Sequence, residues 1–342
     1  VRHEHTSSPS RPAAARRVLL WHVHGSWTTA FVRGGHEYLL PVLPDGGPWG
    51  GGRCGRDWPA NAREVHATAL RTTDVDLVVL QRPAEVDLAA EWLGRRPGRD
   101  VPAVYVEHNT PRGDVPNARH PIADRADIPL VHVTAFNDLM WDSGRAPTVV
   151  IDHGIPDPGH RYTGELPGAA VVINEPVRRW RVTGTDLLPR FADVTGVDVY
   201  GMGPDGLAER MAGSRYPVRI WGDLPTGRLH TAMARRRYYL HPVRWTSLGL
   251  SLIEAMHLGM PVVGLATTEA VEAVPPDAGF LSTDVDRLLA AARELVNEPD
   301  RAAQLGKQAR EAALGRYGLA RFLSDWDHLS QQVIDNFQKG GR

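Results

Sequence analysis

The stretch TSLGLSLIEAMHLGMPVV, residues 246–263, decides the reading of this chain. It reads as a turn, a helix and the start of a buried strand. Its one acidic residue, Glu254, sits early in an otherwise apolar helix, with Thr246 eight residues before it. A carboxylate in such a helix asks for a polar partner.

Working outward, short β-branched apolar runs alternate with helical patterns. The strand candidates are RVLLWHV (17–23), DLVVLQ (76–81), AVYVEH (103–108), LVHVTA (130–135) and TVVID (148–152). After the Pro/Gly-rich segment at 156–168 come AVVIN (170–174), VDVYG (197–201), VRIWG (218–222), RYYLHP (237–242) and MPVVGL (260–265). Continuous apolar strands separated by helices predict parallel sheets covered on both faces. Two such sets divided by a linker predict two doubly wound domains, with boundaries at 17–158 and 159–318. The chain then turns helical. The pattern LARFLSDWDHLSQQVIDNF places Leu319, Phe322, Leu323, Trp326 and Leu329 on one face, so residues 319–342 are expected to pack back toward the first domain.

A length of 342 residues suits two domains, each able to bury a core without metal or disulfide. A formal net charge of -1 argues against a nucleic-acid partner, which demands a broad basic footprint. The single cysteine, Cys54, excludes an internal disulfide and fits a reducing, cytoplasmic setting. Residues 1–16 are polar and rich in Pro, Ala and Arg and are expected to form a mobile tail, with His3 and His5 solvated rather than metal-bound. The apolar run behind them, VLLWHV, is too short for a signal peptide or a membrane span.

In parallel sheets ligands gather beyond the carboxyl ends of the strands, and polar residues cluster there. The first predicted strand runs into HVHGSW, where His22 and His24 share a face and Gly25 permits the turn. The third runs into Glu107-His108-Asn109-Thr110-Pro111, a polar group where a core would want apolar residues. In the second half, a strand runs into Arg178, Arg179 and Arg181 and then Thr183-Gly184 before a helix. Guanidinium forks beside a helix start suit a diphosphate. The turns GMGP (201–204) and WGDL (221–224) also follow strands. There is no HExxH pair, GxSxG elbow or Walker-type loop, so neither a metal site nor a metal-dependent hydrolase is expected.

Taken together, the basic loop, GMGP, WGDL and the block from His241 to Val263 resemble the retaining glycosyltransferases of family 4, the group 1 or glycogen-synthase-like enzymes of GT-B fold. That family carries a glutamate, seven intervening residues, and a second glutamate ahead of an Ala-x-x-x-Gly-x-Pro-Val-Val run; Glu254 followed by AMHLGMPVV matches the second glutamate. The resemblance covers nearly all of the second domain and matches the first in layout only. It implies two Rossmann-like domains facing a central cleft and metal-independent sugar transfer from a nucleoside diphosphate sugar, with retention. It needs no other cofactor.

The residue roles follow from the same resemblance. Glu254 serves the nucleotide ribose, and Ser247, Leu248, Gly249 and Leu250 present backbone amides to the phosphates and sugar. Arg179 or Arg181 holds the diphosphate. Gly25, Gly222, Asp223 and Leu224 complete the donor side, the base lying near Trp221. His24, Ser26, Trp27, Asn109 and Thr110 line the acceptor side, and His108 orients donor or acceptor. Two positions depart from the pattern. Thr246 holds the place of the first glutamate, and Thr183 that of the lysine in the usual Lys-Gly pair. The departure at Thr246 admits altered donor choice, a substitute group or lost turnover. Two alternatives therefore accompany the transferase: an inactive nucleotide-binding relative, and a nucleotide-sugar epimerase of the same architecture. The acceptor (small metabolite, lipid or glycan), membrane association and oligomeric state are left open.

Overall fold

The computed structural model describes residues 15–340. The expected tail, with His3 and His5, thus lies almost wholly outside the described residues, as do residues 341 and 342. In chain order the strands are β1 (Arg17–Leu20), β2 (Glu37–Val42), β3 (Ala62–His66), β4 (Leu77–Leu80), β5 (Ala103–Glu107), β6 (Leu130–His132) and β7 (Thr148–Val150). They continue as β8 (Leu166–Val172), β9 (Val197–Tyr200), β10 (Val218–Gly222), β11 (Arg236–His241), β12 (Val262–Leu265) and β13 (Gly279–Ser282). The helices are α1 (Gly25–Phe31), α2 (Glu85–Leu93), α3 (Ala135–Met140), α4 (Leu188–Ala192), α5 (Leu207–Arg210) and α6 (Thr226–Ala234). After them come α7 (Leu250–Leu258), α8 (Ala270–Ala273), α9 (Val285–Asn297), α10 (Pro299–Tyr317) and α11 (Leu319–Gly340).

Two parallel sheets result. The first has seven strands in the order β3-β2-β1-β4-β5-β6-β7, the second six in the order β10-β9-β8-β11-β12-β13. Central strands such as β4 (LVVL) and β12 (VVGL) are buried on both faces. In each sheet the chain lays strands in one direction and then restarts beside its first strand. The connections flanking that restart lie on opposite faces and leave a crevice beyond the strand ends, at β1/β4 and at β8/β11.

The ladders end earlier than the apolar runs predict. Trp21, Gln81 and His108 follow β1, β4 and β5 and remain buried after the backbone leaves the sheet, because they floor the crevice. At the other end, β8 begins at Leu166, inside the expected linker, where Leu166 pairs with Arg236. Three strands gave no readable signal. β2 contains Pro41, which cannot donate to a ladder; β3 is a largely exposed edge; β13 is a four-residue edge.

The end of the chain returns to the first sheet. Phe322, Trp326 and Leu329 of α11 are buried with Trp27 and Phe31 of α1, and the Trp27 and Trp326 rings meet edge-on at 5.7 Å. The chain passes so close at Gly154 that a Cβ there would lie 2.3 Å from the Cβ of Phe322. Beside this crossing Arg316 grips Asp152 (2.8 Å) and Glu269 (2.6 Å), and Glu269 also accepts the Phe136 amide at the start of α3 (3.0 Å).

Removing a ring from this seam leaves a cavity. Trp326→Ala should lower the unfolding free energy by about 3–5 kcal/mol, whereas Leu139→Ala, at a side chain 79 % exposed, should change it by about 0.5 kcal/mol or less. Urea unfolding of the two variants checks this, and equal effects would refute the packing role of α11.

Candidate functional site

The first crevice is floored by imidazoles. The chain leaves β1, and His24 stands at the cap of α1, its ring 4.0 Å from that of His108. Gln81 fixes the form of His108. Its amide nitrogen donates to the Trp21 carbonyl (2.7 Å), so its oxygen is left to accept from Nε2 of His108 at 3.0 Å. His108 therefore carries its proton on Nε2 and keeps a lone pair on Nδ1.

Burial dominates the electrostatics. It lowers His24 to about 4, and Arg82 deepens the shift while Glu107 opposes it. Burial also holds His108 well below the usual range, helped by His24 and His153, and takes His153 to about 3. All three rings are neutral at neutral pH.

Several expected acceptor residues are placed differently. Trp27 is a correction: its ring is 1 % exposed and belongs to the core, stacked on Phe31 at 4.7 Å, because α1 begins at Gly25 and turns this position inward. Asn109 is exposed, with its carbonyl accepting from Trp141 Nε1 at 2.9 Å, and Thr110 is buried. Gly25 opens α1 beside the Arg56 guanidinium. Ser26 reaches the other domain, donating to Glu254 at 3.4 Å.

Glu254 is the fifth of nine residues of α7, further along the helix than the sequence suggests. Its side chain is 13 % exposed and lies between Ser26 of the first domain and His230 of α6, whose Nε2 is 3.5 Å away. Gly249 caps α7 without a side-chain bond, and the amides of Ser247, Leu248 and Gly249 donate to no other described residue. Leu250 opens the helix and Thr246 is half-buried just ahead of it. Ser247 spans the cleft, its hydroxyl donating to the His108 carbonyl at 2.7 Å. Beneath Gly249 lies His241, whose Cε1 would be 3.1 Å from a Cβ at that glycine. Burial lowers His241 to about 4, and its ring nitrogens make no protein hydrogen bond.

The basic loop separates its arginines. Arg181 is exposed and paired with Asp186 (3.1 Å), and Arg178 is paired with Glu175. Arg179 is half-buried and pairs with no carboxylate among the described residues. Burial lowers its pKa, and the neighbouring charge of Arg112 lowers it further. Thr183 is buried and shares a 2.9 Å hydrogen bond with Thr185. Gly184 has φ +70°, and a Cβ there would fall 1.8 Å from the Pro242 carbonyl oxygen, so the loop lies directly on the end of β11.

Gly222 closes β10 at φ +68°, Asp223 is exposed and Leu224 is half-buried, leading into α6. Beside them Trp221 is 51 % exposed and parallel to Tyr200. The structure thus gathers His24 with His108, and Ser26 with Glu254. It leaves Arg181 exposed, sharing the Asp186 carboxylate with Arg244. Gln81, Arg112 and His230 were missed. Gln81 is the last residue of a predicted strand and Arg112 follows another, whereas nothing in the sequence of α6 marks His230. No cluster of His, Cys, Asp or Glu able to hold a metal occurs among the described residues, nor any helix long and apolar enough to cross a membrane.

A family model described as "Glycosyl transferases group 1" matches residues 186–298, a span that includes His230, Thr246 and Glu254. No curated protein matches the chain. Among solved structures, a sucrose-phosphate synthase from Thermosynechococcus elongatus superposes with a TM-score of 0.70 at 13 % identity, over 94 % of this chain and 100 % of that one. HepE of Anabaena, solved with UDP, gives 0.72 at 14 % identity over 93 % and 100 %. TarM of S. aureus, solved with UDP among its ligands, gives 0.62 at 17 % identity over 74 % of this chain and 55 % of its own. The likeness establishes the fold: two Rossmann-like parallel-sheet domains in the GT-B arrangement.

The neutral imidazoles give a signed pH dependence. In the unfolded chain they take up protons near pH 6.5; in the folded protein His24 and His241 do so only near 4. Their folded pKa values lie below the unfolded ones, so their contribution to stability is complete above about pH 6.5 and is lost as pH falls through about 4. Unfolding free energy measured in urea should be level from pH 7 to 8 and decline below 6.5. His241→Phe should flatten part of that decline, and an unchanged slope would show that this ring is not held neutral.

Proposed function

We propose that the chain is a group 1 glycosyltransferase that moves a sugar from a nucleoside diphosphate sugar to an acceptor hydroxyl, with retention and without a metal. The observation that carries this reading is Glu254. It is an acid on an apolar helix, aimed into the cleft between the two crevices and embedded in the segment that matches the family model. UDP in the HepE and TarM structures supports a nucleotide donor.

In the proposed complex, Glu254 accepts hydrogen bonds from the ribose hydroxyls and the base lies toward Trp221 to Leu224. The diphosphate meets the start of α7, where unpartnered amides and the helix dipole favour an anion. Arg179 supplies a fixed cation, in preference to the ion-paired Arg181. The acceptor enters past His24, Ser26 and Asn109. His108, held with its Nδ1 lone pair available, accepts a hydrogen bond from a sugar hydroxyl. The bond from the anomeric carbon to the phosphate oxygen breaks, and the acceptor oxygen bonds to that carbon on the same face. The acceptor proton passes to the departing phosphate. Charge developing on that phosphate is stabilised by the arginine and the backbone amides.

Thr246 favours a second reading. A threonine in place of the first acid removes a charge-assisted hydrogen bond to the donor sugar, which fits a protein that binds nucleotide without turning it over. Product analysis separates the two readings, since only the transferase yields a new glycoside.

Melting with a panel of nucleoside diphosphates and their sugars tests the site itself. Ligand at a hundred times its dissociation constant should add about 2.7 kcal/mol, with or without Mg²⁺. Glu254→Gln should weaken the bound nucleotide roughly ten- to hundredfold. His108→Ala should lower turnover far more than nucleotide affinity, and equal losses would remove the role given to His108.

A further inference from the structure

Arg112 is an exposed cation of the first domain with no carboxylate partner among the described residues. It follows Pro111, whose carbonyl accepts from Trp245 Nε1 of the second domain at 2.9 Å. The Trp245 ring is braced edge-on by Phe136 at 5.5 Å. The backbone behind it is tied to the basic loop, since the Val182 carbonyl accepts from the amides of Arg244 (2.9 Å) and Trp245 (3.4 Å). Two hydrogen bonds thus connect Pro111 to the loop that carries Arg179. Val182 in turn donates its amide to the Arg179 carbonyl at 2.7 Å, so Arg112, next to Pro111, is tied to the stretch that carries Arg179, whose pKa its charge lowers.

The other arginines of the basic loop have carboxylate partners: Arg178 pairs with Glu175, and Arg181 shares Asp186 with Arg244. Arg112 and Arg179 have no ion-pair partner among the described residues, and like charges held near each other cost free energy that an anion between them reverses.

We propose that Arg112 and Arg179 clamp the donor diphosphate from opposite domains. This rests on the nucleotide-sugar reading given above. Two planar forks on one diphosphate can each make paired charge-assisted hydrogen bonds to its oxygens. Donor binding then holds the cleft closed, because the anion belongs to both halves at once.

The test measures affinity by calorimetry without acceptor, using the nucleoside diphosphate that stabilises the wild-type chain and the matching nucleoside as probes. Arg112→Ala should weaken the diphosphate roughly ten- to hundredfold and leave the nucleoside within about twofold. The melting midpoint of the ligand-free variant should stay level or rise, since a repulsion is removed. Arg119→Ala, in the same segment but paired with Asp124 and Asp142, should match wild type. A diphosphate affinity of Arg112→Ala within about twofold of wild type overturns the clamp. So does an equal loss for diphosphate and nucleoside. If no nucleoside diphosphate binds the wild-type chain, the donor reading itself fails and the clamp falls with it.

Discussion

The hydrogen bond from Ser247 to the His108 carbonyl joins the two halves where each is about to do something. On one side is the end of β5, from which the peptide leaves the sheet; on the other is the turn that starts α7. A carbonyl just past a strand has lost its ladder partner, and a buried one must find another. Here that partner comes from the opposite domain. The requirement to satisfy one backbone oxygen therefore places the uncapped start of α7 and the carboxylate of Glu254 against the imidazoles of the first crevice. Trp245 to Pro111 and Ser26 to Glu254 repeat the arrangement on either side.

What the sequence made legible follows from how locally each feature is determined. A strand buried on both faces is mostly apolar, so β4 and β12 announce themselves, and β5 and β11 do so through the apolar runs inside them despite Glu107, Arg236, Arg237 and His241. β2 hides behind Pro41 and β3 behind its exposed side chains, since their strand character comes from neighbours in the sheet. Glu254 was conspicuous because an acid interrupts an apolar helix. His230 and Gln81 were not, because their partners, Glu254 for the one and Trp21 and His108 for the other, come from other elements of the chain. Trp27 was misread for a related reason. HGSW looks like an open loop, and nothing within it discloses that α11 arrives some three hundred residues later to cover the ring.

The site also shows how burial, rather than ion pairing, sets its chemistry. Its imidazoles are neutral because water is excluded from them, and Gln81 then decides which nitrogen of His108 is the acceptor. The cleft holds its positive charge on guanidinium groups, which burial scarcely discharges at neutral pH. The first crevice is thus neutral, and the positive charge lies on the guanidinium groups beside it.

The return of α11 has a consequence for synthesis. The core of the first domain is completed by Phe322, Trp326 and Leu329, among the last described residues to leave a ribosome. Until they emerge, the nascent first domain presents an apolar face around Trp27 and Phe31 with its natural cover still untranslated. The second domain's strands and helices up to α10 lie between in sequence and can settle first. The last described helix thus closes over the core around the first one.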